Sequence, residues 1–129
     1  MTRLPLILAA AVALSATSTL ANAAPFTLVC KSELTSPDRT TTDYLRKYQV
    51  DLENRMVAFA DDFNGSGYQQ PFTTRIEQVS DKAIVISNAG GVFHWLDRVT
   101  GIAFSVNPKG ERRRGLCSPE TRQAQAPAS

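Results

Sequence analysis

Histidine, tryptophan and cysteine are scarce in this chain. Its 129 residues include one histidine, His94, one tryptophan, Trp95, and two cysteines, Cys30 and Cys117. A metal site built on nitrogen and sulfur needs three or four such ligands, so this inventory excludes one, and neither a metal nor a cofactor is expected. An excess of one charge is also missing: 14 Lys and Arg stand against 12 Asp and Glu. Nucleic-acid binding needs a concentrated basic surface, so nucleic acid is not an expected partner. Past the first two dozen residues no apolar run is long enough to cross a bilayer as a helix.

The N-terminus, MTRLPLILAAAVALSATSTLANAAP, has the layout of a secretory signal. Arg3 gives a short positive region, Leu4 to Leu14 an apolar stretch too short for a membrane span, and Ala21-Asn22-Ala23 a small-x-small cleavage pattern. Residues 1–23 are expected to be removed. The remainder is expected in the periplasm or outside the cell, with no stable membrane insertion. Without Arg3 the balance is thirteen cations to twelve anions. An oxidising compartment and an even cysteine count favour a Cys30–Cys117 bridge, with free buried thiols or an intermolecular bond as alternatives.

From residue 26 onward, side chains alternate with a period of two. FTLVCKSE (26–33) sets Phe26, Leu28 and Cys30 against Thr27, Val29 and Lys31. YQVDL (48–52), MVAF (56–59), FTTRIEQV (72–79), AIVIS (83–87) and IAFSV (102–106) continue the pattern, and GLC (115–117) closes it. FTTRIEQV slips phase at Val79, which suggests a bulge. Turn residues separate the runs, as in Asn107-Pro108-Lys109-Gly110. Short strands at such spacing predict an all-β fold: a small antiparallel meander of about eight strands in a closed or nearly closed barrel, with a two-sheet sandwich second. Helix is conceivable only around Asp43–Lys47. Residues 24–117 are read as one β domain, Thr35–Thr42 as an exposed loop, and 118–129 as a polar, disordered tail. A bridge between first and last strands is expected to draw two free sheet edges together.

VFHWLDR (92–98) holds both of the chain's rarest residues. Between a Gly-Gly turn and a Thr-Gly turn it reads as a strand, so His94 and Asp97 point to opposite faces and form no local acid–base pair. His94 is expected to be a half-exposed strand residue, and Trp95 to fill the core or one barrel mouth. A carboxylate brought from afar, such as Asp51 or Glu77, would be needed for catalysis. Ser66 in Gly65-Ser66-Gly67 lacks the spacing of a nucleophile elbow. No catalytic residue is therefore assigned. DFNGSGYQQPFT (62–73) partly matches a calcium loop, with Asp62, Asn64 and Ser66 at ligand positions, but Thr73 stands where a bidentate glutamate belongs. A glycine-rich hairpin loop is the preferred reading. Its Phe63, Ser66 and Tyr68 are candidate binding residues, since aromatics on a loop held by a rigid sheet favour a partner. In KGERRRG (109–115), alternation places Arg112 and Arg114 on one face and Arg113 on the other. The pair reads either as solvated strand arginines or as a site for an acidic partner.

A leader, a first strand with a cysteine, alternating short strands, Asp97-Arg98-x-Thr100-Gly101 and a closing Gly115-x-Cys117 together resemble small exported bacterial β-proteins. More loosely, the chain is similar to the periplasmic inhibitors of c-type lysozyme, compact β-barrels with a loop that plugs the enzyme's cleft. That family's Ser-Gly-x-x-Tyr pattern appears here shortened to Ser66-Gly67-Tyr68. Val29, before Cys30, stands where a lipid-attachment signal needs a small residue. The resemblance implies an unlipidated protein that acts by binding. The expected function is thus non-enzymatic binding of a protein or small ligand through loops. Lysozyme inhibition, or hydrolysis using His94, are the alternatives.

Overall fold

The computed structural model describes residues 24–120. Nine antiparallel strands run in chain order as β1 (Phe26–Thr35), β2 (Thr41–Asp51), β3 (Met56–Asp62), β4 (Phe72–Arg75), β5 (Gln78–Val79), β6 (Ala83–Ala89), β7 (Val92–Asp97), β8 (Ile102–Val106) and β9 (Arg112–Pro119). They form one curled sheet in the order β4-β3-β2-β1-β9-β8-β7-β6-β5, a nearly closed barrel. The all-β meander is as the alternation predicts, with one more strand than counted.

Three local expectations change. Residues 43–47 are the middle of β2 rather than a helix; Tyr44, Arg46, Tyr48 and Val50 are all buried there, a strict period of two. The loop expected at Thr35–Thr42 shrinks to residues 36–40, because β1 extends to Thr35 and β2 begins at Thr41. Ser118 and Pro119 belong to β9, and Glu120 pairs with Lys47 at 3.4 Å, so strand structure extends past the domain boundary expected at Cys117. The signal segment and residues 121–129 lie outside the described residues.

The disulfide is present, but its topological role differs from expectation. Cys30 and Cys117 are directly opposite each other in the β1–β9 ladder, with Cα atoms 3.9 Å apart. They bolt two hydrogen-bonded neighbours at the middle of the sheet, not two loose edges. The edges are β4 and β5, and these are halves of the single segment FTTRIEQV. Its first half pairs with β3 and its second with β6. Between them the Ile76 amide donates to the Arg55 carbonyl and the Glu77 amide to the Val85 carbonyl, both at 2.9 Å. One bent segment thus spans the gap where the sheet would otherwise gape. The β3–β4 and β5–β6 ladders record no bulge in residues 72–79, where the segment instead changes partner at Ile76 and Glu77. The register irregularity in the β6–β7 ladder falls between Val85 and Ser87.

Side chains fill the middle of the barrel. Tyr48, Ile84, Val50, Val57 and Cys30 are the largest essentially inaccessible residues, and Ile76, Ile86, Leu96 and Ala103 complete the core. Large and small inward residues face one another, as filling a small barrel requires. Across neighbouring strands one inner row reads Leu96, Ala103, Gly115, Ser32, Tyr44. A Cβ on Gly115 would collide with the Ser32 hydroxyl and come within 3.2 Å of Cys30 Cβ, so glycine is the residue this crossing admits.

Candidate functional site

The barrel interior is apolar at one end and polar at the other. In β2, the apolar partner of Tyr48 on its inward face is Val50, and the same alternation forces Arg46 and Tyr44 inside. A buried guanidinium needs a counter-charge, and the β2–β3 register supplies one by setting Asp61 opposite Arg46. Arg46 Nε donates to Asp61 Oδ1 at 2.6 Å and Nη2 to Oδ2 at 2.9 Å, a two-pronged pair whose side chains are 7% and 15% exposed. Burial works against the charge on Arg46. Its bonds to Asp61 and the neighbouring phenols more than reverse this and hold its pKa above the usual value. Its guanidinium carbon also lies 4.8 Å from the Phe59 ring centre.

The chain of polar contacts continues inward. Arg46 Nη1 donates to the Tyr48 hydroxyl at 3.4 Å, and that hydroxyl lies 2.7 Å from His94 Nε2. The phenol and the imidazole share one hydrogen bond, whose direction is set by the His94 tautomer. Burial, then the positive charges of Arg46 and Arg113, push the His94 pKa down to about 3. Phe59 meets the imidazole edge to face at 5.0 Å. His94 is 5% exposed rather than half-exposed, and its bonded partner is a phenol. Trp95 is outside the barrel instead of in its core or mouth. It packs on Phe93 at 4.3 Å and Phe104 at 4.9 Å as a half-buried aromatic group on the outer face of β7 and β8. Alternation was right about the two faces, and their assignment to inside and outside was reversed.

The second region is the β3–β4 loop, residues 63–71. Its base is tied down: Asp62 Oδ1 accepts from the Gly65 amide at 2.8 Å, and the Gln69 amide donates to the Asp61 carbonyl at 2.9 Å. Asn64 Oδ1 accepts from the Ser66 amide and hydroxyl. Three oxygens of the partial calcium pattern are thus committed to hydrogen bonds inside the loop. Among the described residues, no cluster of three or more His, Cys, Asp or Glu side chains forms a metal site.

The candidate binding residues of this loop part company. Phe63 turns inward and stacks on Tyr44 at 4.6 Å as an anchor. Ser66 is exposed at the tip. Tyr68 lies beneath the Lys47 ammonium, 4.6 Å from its ring centre, yet remains 37% exposed, and Phe72 just after the loop is 61% exposed. Between loop and sheet runs a groove of about 250 Å³ lined by Lys47, Gln49, Ala58, Phe59, Tyr68 and Pro71. Arg112 and Arg114 are exposed on the outer face of β9, with β1 and β2 separating that strand from β3. The structure does not gather them with the loop.

Sequence reasoning missed Arg46, Asp61, Tyr44, Tyr48 and Arg113 as one interior group. The signal lay in TTDYLRKYQVD, where extending the period of Tyr48 and Val50 backward places Arg46 inside. The partner across the strand could not be read without the register.

No protein-family profile matches the chain, and no curated protein matches it in sequence. Among solved structures, it is similar to an SsgA-like sporulation-specific cell division protein from Thermobifida fusca. The two are 11% identical, the match covers 77% of this chain and 75% of that one, and the TM-score is 0.39. At that level the likeness carries no functional argument.

Proposed function

We propose that this chain is an exported binding protein, without chemistry of its own, that holds a partner protein or small ligand on the 63–71 loop and the groove beneath it. One observation carries the reading: the loop is fixed at its base by Asp62 and Gln69 while Tyr68 and Phe72 face solvent. Rigid, exposed aromatic side chains lose little freedom on binding and supply much of the contact energy at interfaces. The leader pattern and the Cys30–Cys117 bridge support an exported, oxidising setting.

The His94 environment gives a hydrolase little to work with. Nε2 of the imidazole is occupied by Tyr48, and burial, together with the charges of Arg46 and Arg113, keeps the ring neutral and weakly basic. The test is affinity capture from the exported fraction by the wild-type protein and by a Tyr68→Ala, Phe72→Ala double variant. The reading expects the double variant to bind at least tenfold more weakly, a loss of about 1.4 kcal/mol or more, with an unchanged thermal midpoint. Equal capture by both would remove the loop from consideration. A c-type lysozyme assay with added protein is the separate arm for inhibition of that enzyme, and an unslowed rate rejects it.

A further inference from the structure

Two buried polar atoms in the described chain have no hydrogen-bond partner, and both are at the polar mouth of the barrel: the Tyr44 hydroxyl and Arg113 Nε. Buried donors left unpaired are rare and destabilising, so two bordering one narrow cleft call for an explanation. Tyr44 is 5% exposed. Burial, as the leading cause, raises its phenol to about 12, so the hydroxyl keeps its proton and is a donor at neutral pH. Ser32, Arg46 and Ser105 are among the other residues that line the cleft. Arg113 projects inward one residue from the start of β9, opposite Ser105 of β8 and Leu34 of β1, which puts it on the rim.

The charge balance points to the ligand. Arg46 is neutralised by Asp61 in a two-pronged pair, whereas Arg113 makes no ion pair with any described carboxylate. Arg114 also borders the cleft but is exposed on the outer face, so Arg113 is the inward guanidinium without a counter-charge. With the Tyr44 hydroxyl beside it, it matches one negative charge on a planar, two-oxygen group.

We propose that the barrel mouth formed by Tyr44 and Arg113 is a binding site for a single carboxylate group, free or at the end of a side chain. No water-sized sphere fits between these side chains as they stand. Binding therefore requires Arg113 to swing at the rim, where it is only half-buried. The incoming carboxylate takes hydrogen bonds from Nε of Arg113 and from the Tyr44 hydroxyl, satisfying both. This site goes beyond the loop surface proposed above, and its failure would leave the loop reading intact.

The test follows the Arg113 Nε–H resonance of the folded protein by NMR during titration with acetate at constant ionic strength, with chloride and phosphate as comparisons. Acetate should move the resonance saturably, and phosphate should bind no more tightly. Tyr44→Phe should weaken acetate binding roughly threefold to tenfold, in keeping with one lost hydrogen bond. Arg113→Lys keeps the charge but loses the fork, so the acetate effect on the Tyr44 ring signals should weaken further. A linear drift with acetate, an equal response to chloride, tighter binding of phosphate, or saturation unaltered by both substitutions would overturn the assignment.

Discussion

His94 sits among Tyr48, Phe59 and two arginines as a neutral, hydrogen-bonded ring, and this has a consequence for stability. Its folded pKa of about 3 lies below the ordinary 6.5. The unfolded chain therefore takes up a proton on this ring between those values while the folded chain does not. The stabilisation is fully present above pH 6.5 and is lost as pH falls toward 3. Between pH 7 and pH 5 the loss should be about 2 kcal/mol, and a His94→Gln variant should show a flatter urea-denaturation profile over the same window. The Arg46–Asp61 pair makes an asymmetric prediction. Asp61→Asn strands a buried guanidinium and should cost about 3–5 kcal/mol, while Arg46→Met removes the more deeply buried charge and should cost clearly less. Paired urea midpoints for the two variants check the order. At this scale the sequence told which residues share a face. It did not tell which face is inside at β7, because Val92, His94 and Leu96 are no more apolar as a set than Phe93 and Trp95.

Strands and their pairing set the next level. Every apolar run that alternates became a strand, and IAFSV matches β8 residue for residue. The Asn107-Pro108-Lys109-Gly110 turn formed as its composition requires, with Gly110 at φ +82° and its amide donating to the Asn107 carbonyl at 3.0 Å. Residues 43–47 were harder, because Asp43, Leu45, Arg46 and Lys47 carry neither β-branching nor apolar alternation; the β1 and β3 ladders on either side hold them extended. Hand-over of 72–79 from β3 to β6 is a long-range property that no local pattern encodes. The β1–β9 seam supports two predictions. Gly115→Ala should cost about 1–3 kcal/mol, since the new methyl group meets Ser32, Cys30 Cβ and the Lys31 carbonyl. Replacing both cysteines by alanine should cost roughly 4–5 kcal/mol in the chain-entropy account. Even so, the strand circular-dichroism signal should persist, because eight residue pairs still align β1 with β9.

For the whole molecule, a filled interior leaves the rim and the loops as the surfaces open to a partner. The filled core leaves open spaces at the periphery. One is the groove under Tyr68, and another is a cleft of about 260 Å³ at the apolar end, lined by Phe26, Leu28, Ile84, Leu96 and Ile102. Composition and alternation made the barrel legible, and the glycine-rich stretch marked the loop. The exposure of Phe72 and the inward anchoring of Phe63 depended on how β3 and β4 meet. The most direct measurement of the binding account is hydrogen exchange on the wild-type protein, free and in complex with whatever it captures from the exported fraction. Slowed exchange confined to residues 58–72 is the expected result. Unchanged exchange there, with new protection centred on His94 and Tyr48, would contradict it.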